Sequence, residues 1–271
     1  MIEIPFDPDL HLGDFRVAWH SVFSFVALVV GSQVSFACAR YLVRDQRIYP
    51  FALAVVIGGL TGARLGHVAD NWSRYAADPG QIVAFWNGGI AVTAAPIGSA
   101  IGGFLAAKRL RLPVGFLFDI SVIGVTIGEA IGRIGDIING EHHAIACSGV
   151  PWCVRYTHPA TLGQAELVHP VVAYDLLFDL LLFAVQLVAW RRWRGHPPES
   201  RVFWLYLLLY GAGRFLTSFL RQDPVVFGGL QEAQLLGLAY VAVAAVVLPL
   251  LARRAADLSY YTSIVSTPAR R

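Results

Sequence analysis

The sequence predicts an all-α integral membrane protein with seven transmembrane helices, the N-terminus outside and the C-terminus cytoplasmic. Three observations carry that expectation. Of 271 residues, 56% are hydrophobic and only 14% are charged, where an ordinary soluble domain has about 25% charged. The apolar residues come in long runs instead of alternating with polar ones, which is the membrane pattern and gives a mean hydropathy of +0.58. The basic residues gather in alternate loops.

The predicted spans are 17–39, 51–68, 88–107, 114–132, 170–190, 202–220 and 233–252. Each is long enough to cross a hydrocarbon core of about 30 Å at about 1.5 Å per residue. The first is not expected to be a signal peptide: the segment before it, 1–14, holds four acidic residues and neither Lys nor Arg, and no small-residue cleavage site follows. Linkers are short and no internal repeat stands out, so residues 1–271 read as a single polytopic membrane domain.

Orientation follows from the charges. Arg40, Arg44 and Arg47; Lys108, Arg109 and Arg111; Arg191, Arg192, Arg194 and Arg201; and Arg253, Arg254, Arg270 and Arg271 account for 14 of the 21 Lys and Arg. Loops rich in Lys and Arg stay cytoplasmic. The basic balance therefore reflects topology and anionic inner-leaflet lipid, and nothing points to nucleic acid.

Four of the remaining arginines lie at unusual depth: Arg64 in the outer part of the second span, Arg133 at the outer end of the fourth, Arg214 within the sixth and Arg221 at its outer end. A guanidinium in hydrocarbon costs at least ~2.5 kcal/mol, so such residues face a partner or a wet cavity. Tyr210, Arg214, Thr217, Ser218 and Arg221 recur at three- and four-residue spacing and share a helix face, as do Glu129, Arg133 and Asp136. One reading is buried ion pairs, Arg133 with Glu129 and Arg214 with Asp119 or Asp175. The other, favoured because four arginines converge with few acids nearby, is an anionic ligand. Guanidinium forks suit phosphate oxygens, and a phospholipid head group is the anion always present at that depth.

The longest stretch outside the spans runs from 132 to 169, polar and glycine-rich, and loops of that length are commonly functional. It holds Arg133, Asp136, Asn139, Gly140 and Glu141, then His142 and His143. Cys147 and Cys153 lie on the exoplasmic side, where a disulfide is expected, while Cys38 reads as an inert small hydrophobe. Zinc is not expected, because the Cys and His spacing matches no standard structural site. Trp72, Tyr75, Phe85 and Trp86 read as interfacial anchors, with a weak signal for a surface helix between 70 and 86.

These strings resemble the phosphatidylglycerol–prolipoprotein diacylglyceryl transferase family over most of the chain. The resemblance rests on Gly62-Ala63-Arg64-Leu65-Gly66, Trp86-Asn87-Gly88-Gly89, the segment from Gly132 to Glu141, Pro151-Trp152, His169-Pro170 with Tyr174, and Tyr210-Gly211-Ala212-Gly213-Arg214-Phe215 followed by Arg221. It implies the bacterial cytoplasmic (inner) membrane, a site facing outward, no cofactor, and two partners: phosphatidylglycerol or a related anionic phospholipid, and the signal peptide of a prolipoprotein. The implied reaction moves a diacylglyceryl group to a lipobox cysteine thiol and releases glycerol phosphate. Arg133 and Arg214 match the family's essential arginines, Asn139, Gly140 and Glu141 its signature loop, and Tyr210 its tyrosine one turn before the second arginine. Arg133, Arg214, Tyr210 and Glu141 are thus the candidate catalytic residues. Arg64, Asp136, Asn139, Gly140, His169, Tyr174, Arg221, Thr93 and His20 are the candidate substrate-binding residues.

The chain also departs from the family pattern. Thr93, Ala94 and Ala95 stand where the family has His-Gly-Gly; Asp136 replaces an Asn, His20 a Tyr, Ser218 and Asp175 each a Glu, and Glu129 a Gln. If Thr93 replaces the thiol's base, His20, His142 and His143 are the substitutes near the outer surface, although each also reads as a solvated or interfacial histidine. Asp136 and Glu129 could instead pair with Arg133 and draw it from phosphate. The alternative to the enzyme is a catalytically inactive or repurposed lipid-binding membrane protein of the same fold. A transporter is a third class, disfavoured because the inner halves of the spans carry almost no ionisable residues and no inverted repeat is evident.

Overall fold

The computed structural model describes residues 1–84, 88–89, 91, 94–196 and 198–253. Thr93, Phe85, Trp86, Asn87, Arg254, Arg270 and Arg271 lie outside the described residues. Two compact units emerge among the described residues, one of residues 1–38 and 118–253, the other of 39–117.

The first unit opens with the short strands β1 (Ile2–Ile4), β2 (Asp9–Leu12) and β3 (Phe15–Ala18) and then α1 (Trp19–Ala39). It resumes along α5 (Val114–Asn139), β4 (Val154–Tyr156), α6 (Val171–Trp193), α7 (Arg201–Thr217), a 3₁₀ turn (Ser218–Leu220), β5 (Val225–Phe227), β6 (Leu230–Gln231) and α8 (Glu232–Arg253). The second unit holds α2 (Ile48–Asp70), α3 (Trp72–Ala77), a 3₁₀ turn (Pro79–Val83) and α4 (Ala95–Arg109). Among the described residues, six helices are long and apolar enough to cross a membrane: α1, α2, α5, α6, α7 with its 3₁₀ extension, and α8. The chain is thus an integral membrane protein by length and composition of its helices. α4 is the exception, starting at Ala95 with Pro96 in its first turn instead of at 88. Proline suits a helix start because its missing N–H would have no partner there.

In the first unit α1 and α5 run antiparallel in close contact. A Cβ added to Gly31 would lie 2.5 Å from the Gly124 carbonyl oxygen, and one added to Gly135 would lie 2.8 Å from the His20 Cα. Ser35 Oγ donates to the Ile120 carbonyl at 3.1 Å. Small residues at such crossings let backbones meet where no hydrophobic effect drives helices together. The helix α7 begins at Ser200, which has a left-handed backbone and offers no side-chain cap. Asp119 supplies the cap from α5, accepting from the Ser200 amide at 2.9 Å and the Phe203 amide at 2.8 Å. The expectation that Asp119 pairs with Arg214 is therefore corrected.

The segment after α5 is held in place, not loose. β1 pairs in parallel with β4, Glu3 forms an ion pair with Arg155, and isolated bridges join Ala146 to Val168 and Ala144 to Arg221. Cys147 and Cys153 are joined, with Cα atoms 5.6 Å apart. Ile4, Ala144, Val154, Val168, Val171 and Val172 form a small apolar core beneath. These two- to four-residue strands add β-structure outside the helices that the all-α reading did not contain.

In the second unit α2 and α4 are antiparallel, Gly58 meeting Gly98 and Ala54 meeting Gly102; a Cβ on Gly98 would lie 2.2 Å from the Gly58 carbonyl oxygen. Tyr75 on α3 is buried, its ring 5.3 Å from the Arg64 guanidinium and edge-on to His67 at 5.9 Å. It packs within this unit and is not an interfacial anchor.

Asp119→Ala removes both acceptors at the start of α7. Its unfolding free energy is expected to fall by about 1–3 kcal/mol, read by denaturation in detergent, while Asp119→Asn keeps one acceptor oxygen and loses less.

Candidate functional site

The site lies where α5 and α7 end and α6 begins. Arg133 occupies the last two turns of α5, Arg214 the last turn of α7, and Asp175 and Asp179 the first turns of α6 one turn apart. Helix dipoles favour this arrangement, cations near C-termini and anions near N-termini. Arg214 Nη1 lies 3.4 Å from Asp175 Oδ2, and Arg221 Nη2 donates to the same oxygen. Arg133 Nη1 donates to Asp136 Oδ2 at 3.1 Å, and its Nε is 3.9 Å from Asp179 Oδ2, too long for a hydrogen bond. Glu129 is one turn before Arg133, with Oε2 buried and unbonded.

The expectation of few acids is therefore corrected: Glu129, Asp136, Asp175 and Asp179 accompany Arg133, Arg214 and Arg221. Burial separates the arginines. The Arg221 side chain is 0% exposed, whereas those of Arg133 and Arg214 are 17% and 20% exposed. Arg221 holds Asp175 in place, and the backbone around it is tied down: the Gln222 amide donates to the His143 carbonyl at 3.1 Å, and Gln231 donates to the Arg221 carbonyl. Arg133 and Arg214 each spend one Nη on a carboxylate and are less enclosed than Arg221.

Asp136 is the second hub. Its Oδ1 sits 2.6 Å from His20 Nδ1 at the start of α1, and its Oδ2 takes Arg133. Asn139 Oδ1 accepts from the His20 amide at 3.4 Å, and the Gly140 and Glu141 amides both donate to the Asp136 carbonyl, closing α5. His142 Nε2 is 4.0 Å from Asp136 Oδ2. Burial, then the Arg221 and Arg133 charges, push His142 down to about 4, so it is neutral at physiological pH and this contact is polar without being an ion pair.

Other predicted residues make contacts of their own, Tyr210 while close to both Arg133 and Arg214. The Trp152 indole donates to the Tyr174 hydroxyl at 2.8 Å, and His169 Nδ1 is 3.3 Å from that hydroxyl. Tyr210 stacks on Tyr206 at 5.2 Å, one turn before Arg214. The described contacts place no side-chain partner on Glu141. In the second unit, Arg64 donates to the carbonyls of Ile82, Gly89 and Ala84 at 3.0, 2.7 and 3.2 Å, and to those of Gly88 and Gln81. It is 2% exposed and ties together the backbone at Gln81, Ile82, Ala84, Gly88 and Gly89. The sequence reading gave Asp179 no role, although an acid one turn after Asp175 in an apolar span was its signal.

An unfolded His142 takes up a proton below about 6.5 whereas the folded one resists until about 4. Stability from this residue is therefore present above about pH 6.5 and is lost as pH falls toward about 4. His142→Gln is expected to shrink the fall in thermal midpoint between about pH 7 and about pH 5.

Comparison with known proteins bears on what such a site belongs to. The family described as prolipoprotein diacylglyceryl transferase matches residues 9–250. The chain is similar to the phosphatidylglycerol–prolipoprotein diacylglyceryl transferase of Dehalococcoides mccartyi, 33% identical over 254 residues, covering 90% of this chain and 93% of the relative. It is similar to that of Gloeobacter violaceus, 31% identical over 256 residues, covering 91% and 93%, and to that of Trichormus variabilis, 30% identical over 240 residues, covering 84% and 83%. With membrane-length helices, a match along most of its length and relatives of this extent, the chain belongs to the prolipoprotein diacylglyceryl transferase family.

Proposed function

We propose that the protein transfers a diacylglyceryl group from phosphatidylglycerol to the lipobox cysteine thiol of a prolipoprotein signal peptide. The observation that carries this is the pair Arg133 and Arg214, each about one-fifth exposed and each held by a carboxylate at the same end of α5 and α7. A phosphodiester needs little help to bind, but its departure as glycerol phosphate concentrates charge on the leaving oxygen. Two pre-oriented guanidinium groups in a water-poor site stabilise that developing charge more than they stabilise the bound lipid. Asp136, Asp175 and the buried Arg221 set the orientation of the two forks, and Tyr210 is placed one turn before Arg214 to steer it or the phosphate. Asn139, Gly140 and Glu141 shape the edge of the site, while His169 and Tyr174 order the segment above it.

The membrane arrangement belongs to the same proposal: seven crossings in the bacterial cytoplasmic membrane, N-terminus out, C-terminus in, site facing outward. Antiparallel contact of α4 along α2 supports α4 as the seventh crossing. Lys108, Arg109 and Arg111 then share a side with Arg40, Arg44 and Arg47, as the positive-inside rule requires. The Cys147–Cys153 bond supports an oxidising, exoplasmic location for the segment that follows α5.

The test is thioether formation by the purified protein from phosphatidylglycerol vesicles and a lipobox peptide. Arg133→Gln and Arg214→Gln are each expected to lower kcat/KM by about 100-fold or more, with Arg214→Lys also impaired because an ammonium cannot fork across two oxygens. Phosphatidylcholine vesicles should give far less product. Unchanged rates in both glutamine variants would overturn the phosphate-clamp role.

A further inference from the structure

We propose that His20 is the general base that takes the acceptor thiol's proton, with Asp136 as the residue that positions it; this rests on the transfer reading above. Three geometric facts support it. Asp136 engages both neighbours at once, Oδ1 with His20 Nδ1 at 2.6 Å and Oδ2 with Arg133 at 3.1 Å. A carboxylate accepts from both, so the imidazole carries its proton on Nδ1 and presents a lone pair on Nε2. The burial is graded in the sense a base requires: the Asp136 side chain is 7% exposed and that of His20 46%. The ring is also held by backbone, since Gly135 allows α5 to touch the His20 Cα and Asn139 accepts from the His20 amide.

This is the arrangement of a carboxylate-oriented imidazole, in which the acid fixes the tautomer and stabilises the imidazolium that forms. The other candidates lack it. His143 Nε2 is spent on the Leu162 carbonyl at 2.9 Å, and His142 is crowded by burial and arginine charge that disfavour protonation. His169 faces the Tyr174 hydroxyl. His11 pairs with Asp7, but on the exposed β2–β3 hairpin and without a contact to the arginines. Because one carboxylate joins His20 to Arg133, the base stands next to the phosphate clamp.

The thiol proton passes to His20 Nε2, and the thiolate attacks the glyceryl carbon that carries the phosphodiester. The C–S bond forms as the C–O bond breaks, and the electron pair leaves on glycerol phosphate, held by Arg133 and Arg214. The imidazolium then gives its proton to the departing phosphate or to water.

Asp136 contacts the His20 ring, and the titratable and charged groups around that carboxylate are Arg133 on α5, His142 after it and Tyr156 on β4, whose phenol feels the Asp136 charge; Arg16 lies across the hairpin from His11. In the vesicle assay with full-length protein, His20→Gln is expected to lower kcat at about pH 7 by about 100-fold or more with KM for phosphatidylglycerol little changed. The deficit should shrink as pH rises toward about 9, because a peptide thiol with a pKa of about 8.5 then ionises unaided. A selenocysteine peptide, already ionised at about pH 7, should be used by His20→Gln nearly as fast as by wild type, which also shows that the variant is folded. Asp136→Asn should lower kcat with the same pH trend. Three results would overturn the assignment: His20→Gln within about threefold of wild type at neutral pH, a deficit equal at all pH values, or equal loss with the selenocysteine peptide. Absence of thioether from wild type would overturn the transfer reading itself, and the base with it.

Discussion

The structure at this end of the helices depends on one constraint: a guanidinium taken out of water must have its donors met by acceptors, and here those acceptors are mostly carboxylates. Arg221 is fully enclosed and Arg133 and Arg214 nearly so, and four acids are spent on them. Breaking such a pair leaves an uncompensated buried charge, at a cost of about 3–5 kcal/mol. Sharing follows from scarcity of space. Asp175 serves two arginines and so ties α6 to the end of α7; Asp136 serves Arg133 and His20 and so ties α5 to the start of α1. The same pairings that offset burial aim the two partly exposed forks, which is why stability and function are entangled at these residues.

Arg64 shows how backbone carbonyls can satisfy an arginine in an apolar span. Its donors are taken by backbone carbonyls and its plane is covered by Tyr75. Depth in the membrane alone therefore does not mark a ligand site. The difference lies in the acceptors: carbonyls meet Arg64 from several directions, whereas Arg133 lies between Asp136 and Asp179 and Arg214 reaches Asp175.

Much of the fold was legible because run length and loop charge are one-dimensional signals. The spans at 17–39, 114–132, 170–190, 202–220 and 233–252 correspond to α1, α5, α6, α7 and α8. The predicted start at 88 missed Pro96, which begins α4. Three-residue strands such as β1 and β4 have no period to read and form only through partners about 150 residues away. In the site, the arginines and Asp175 were legible, but Asp119 could have been excluded as an Arg214 partner. It precedes Arg133 by 14 residues, which is about 21 Å along a helix axis. The His20–Asp136 contact joins residues 116 apart, and no local spacing reveals such a pair.

We propose that Arg133 and Arg214 together hold a lipid phosphate. An experimental structure of the protein in phosphatidylglycerol nanodiscs tests this. Lipid phosphate oxygens are expected within about 3 Å of guanidinium nitrogens from both arginines, with Asp136 and Asp175 still behind them. A lipid phosphate held elsewhere, with both arginines contacting only their carboxylates, would contradict it.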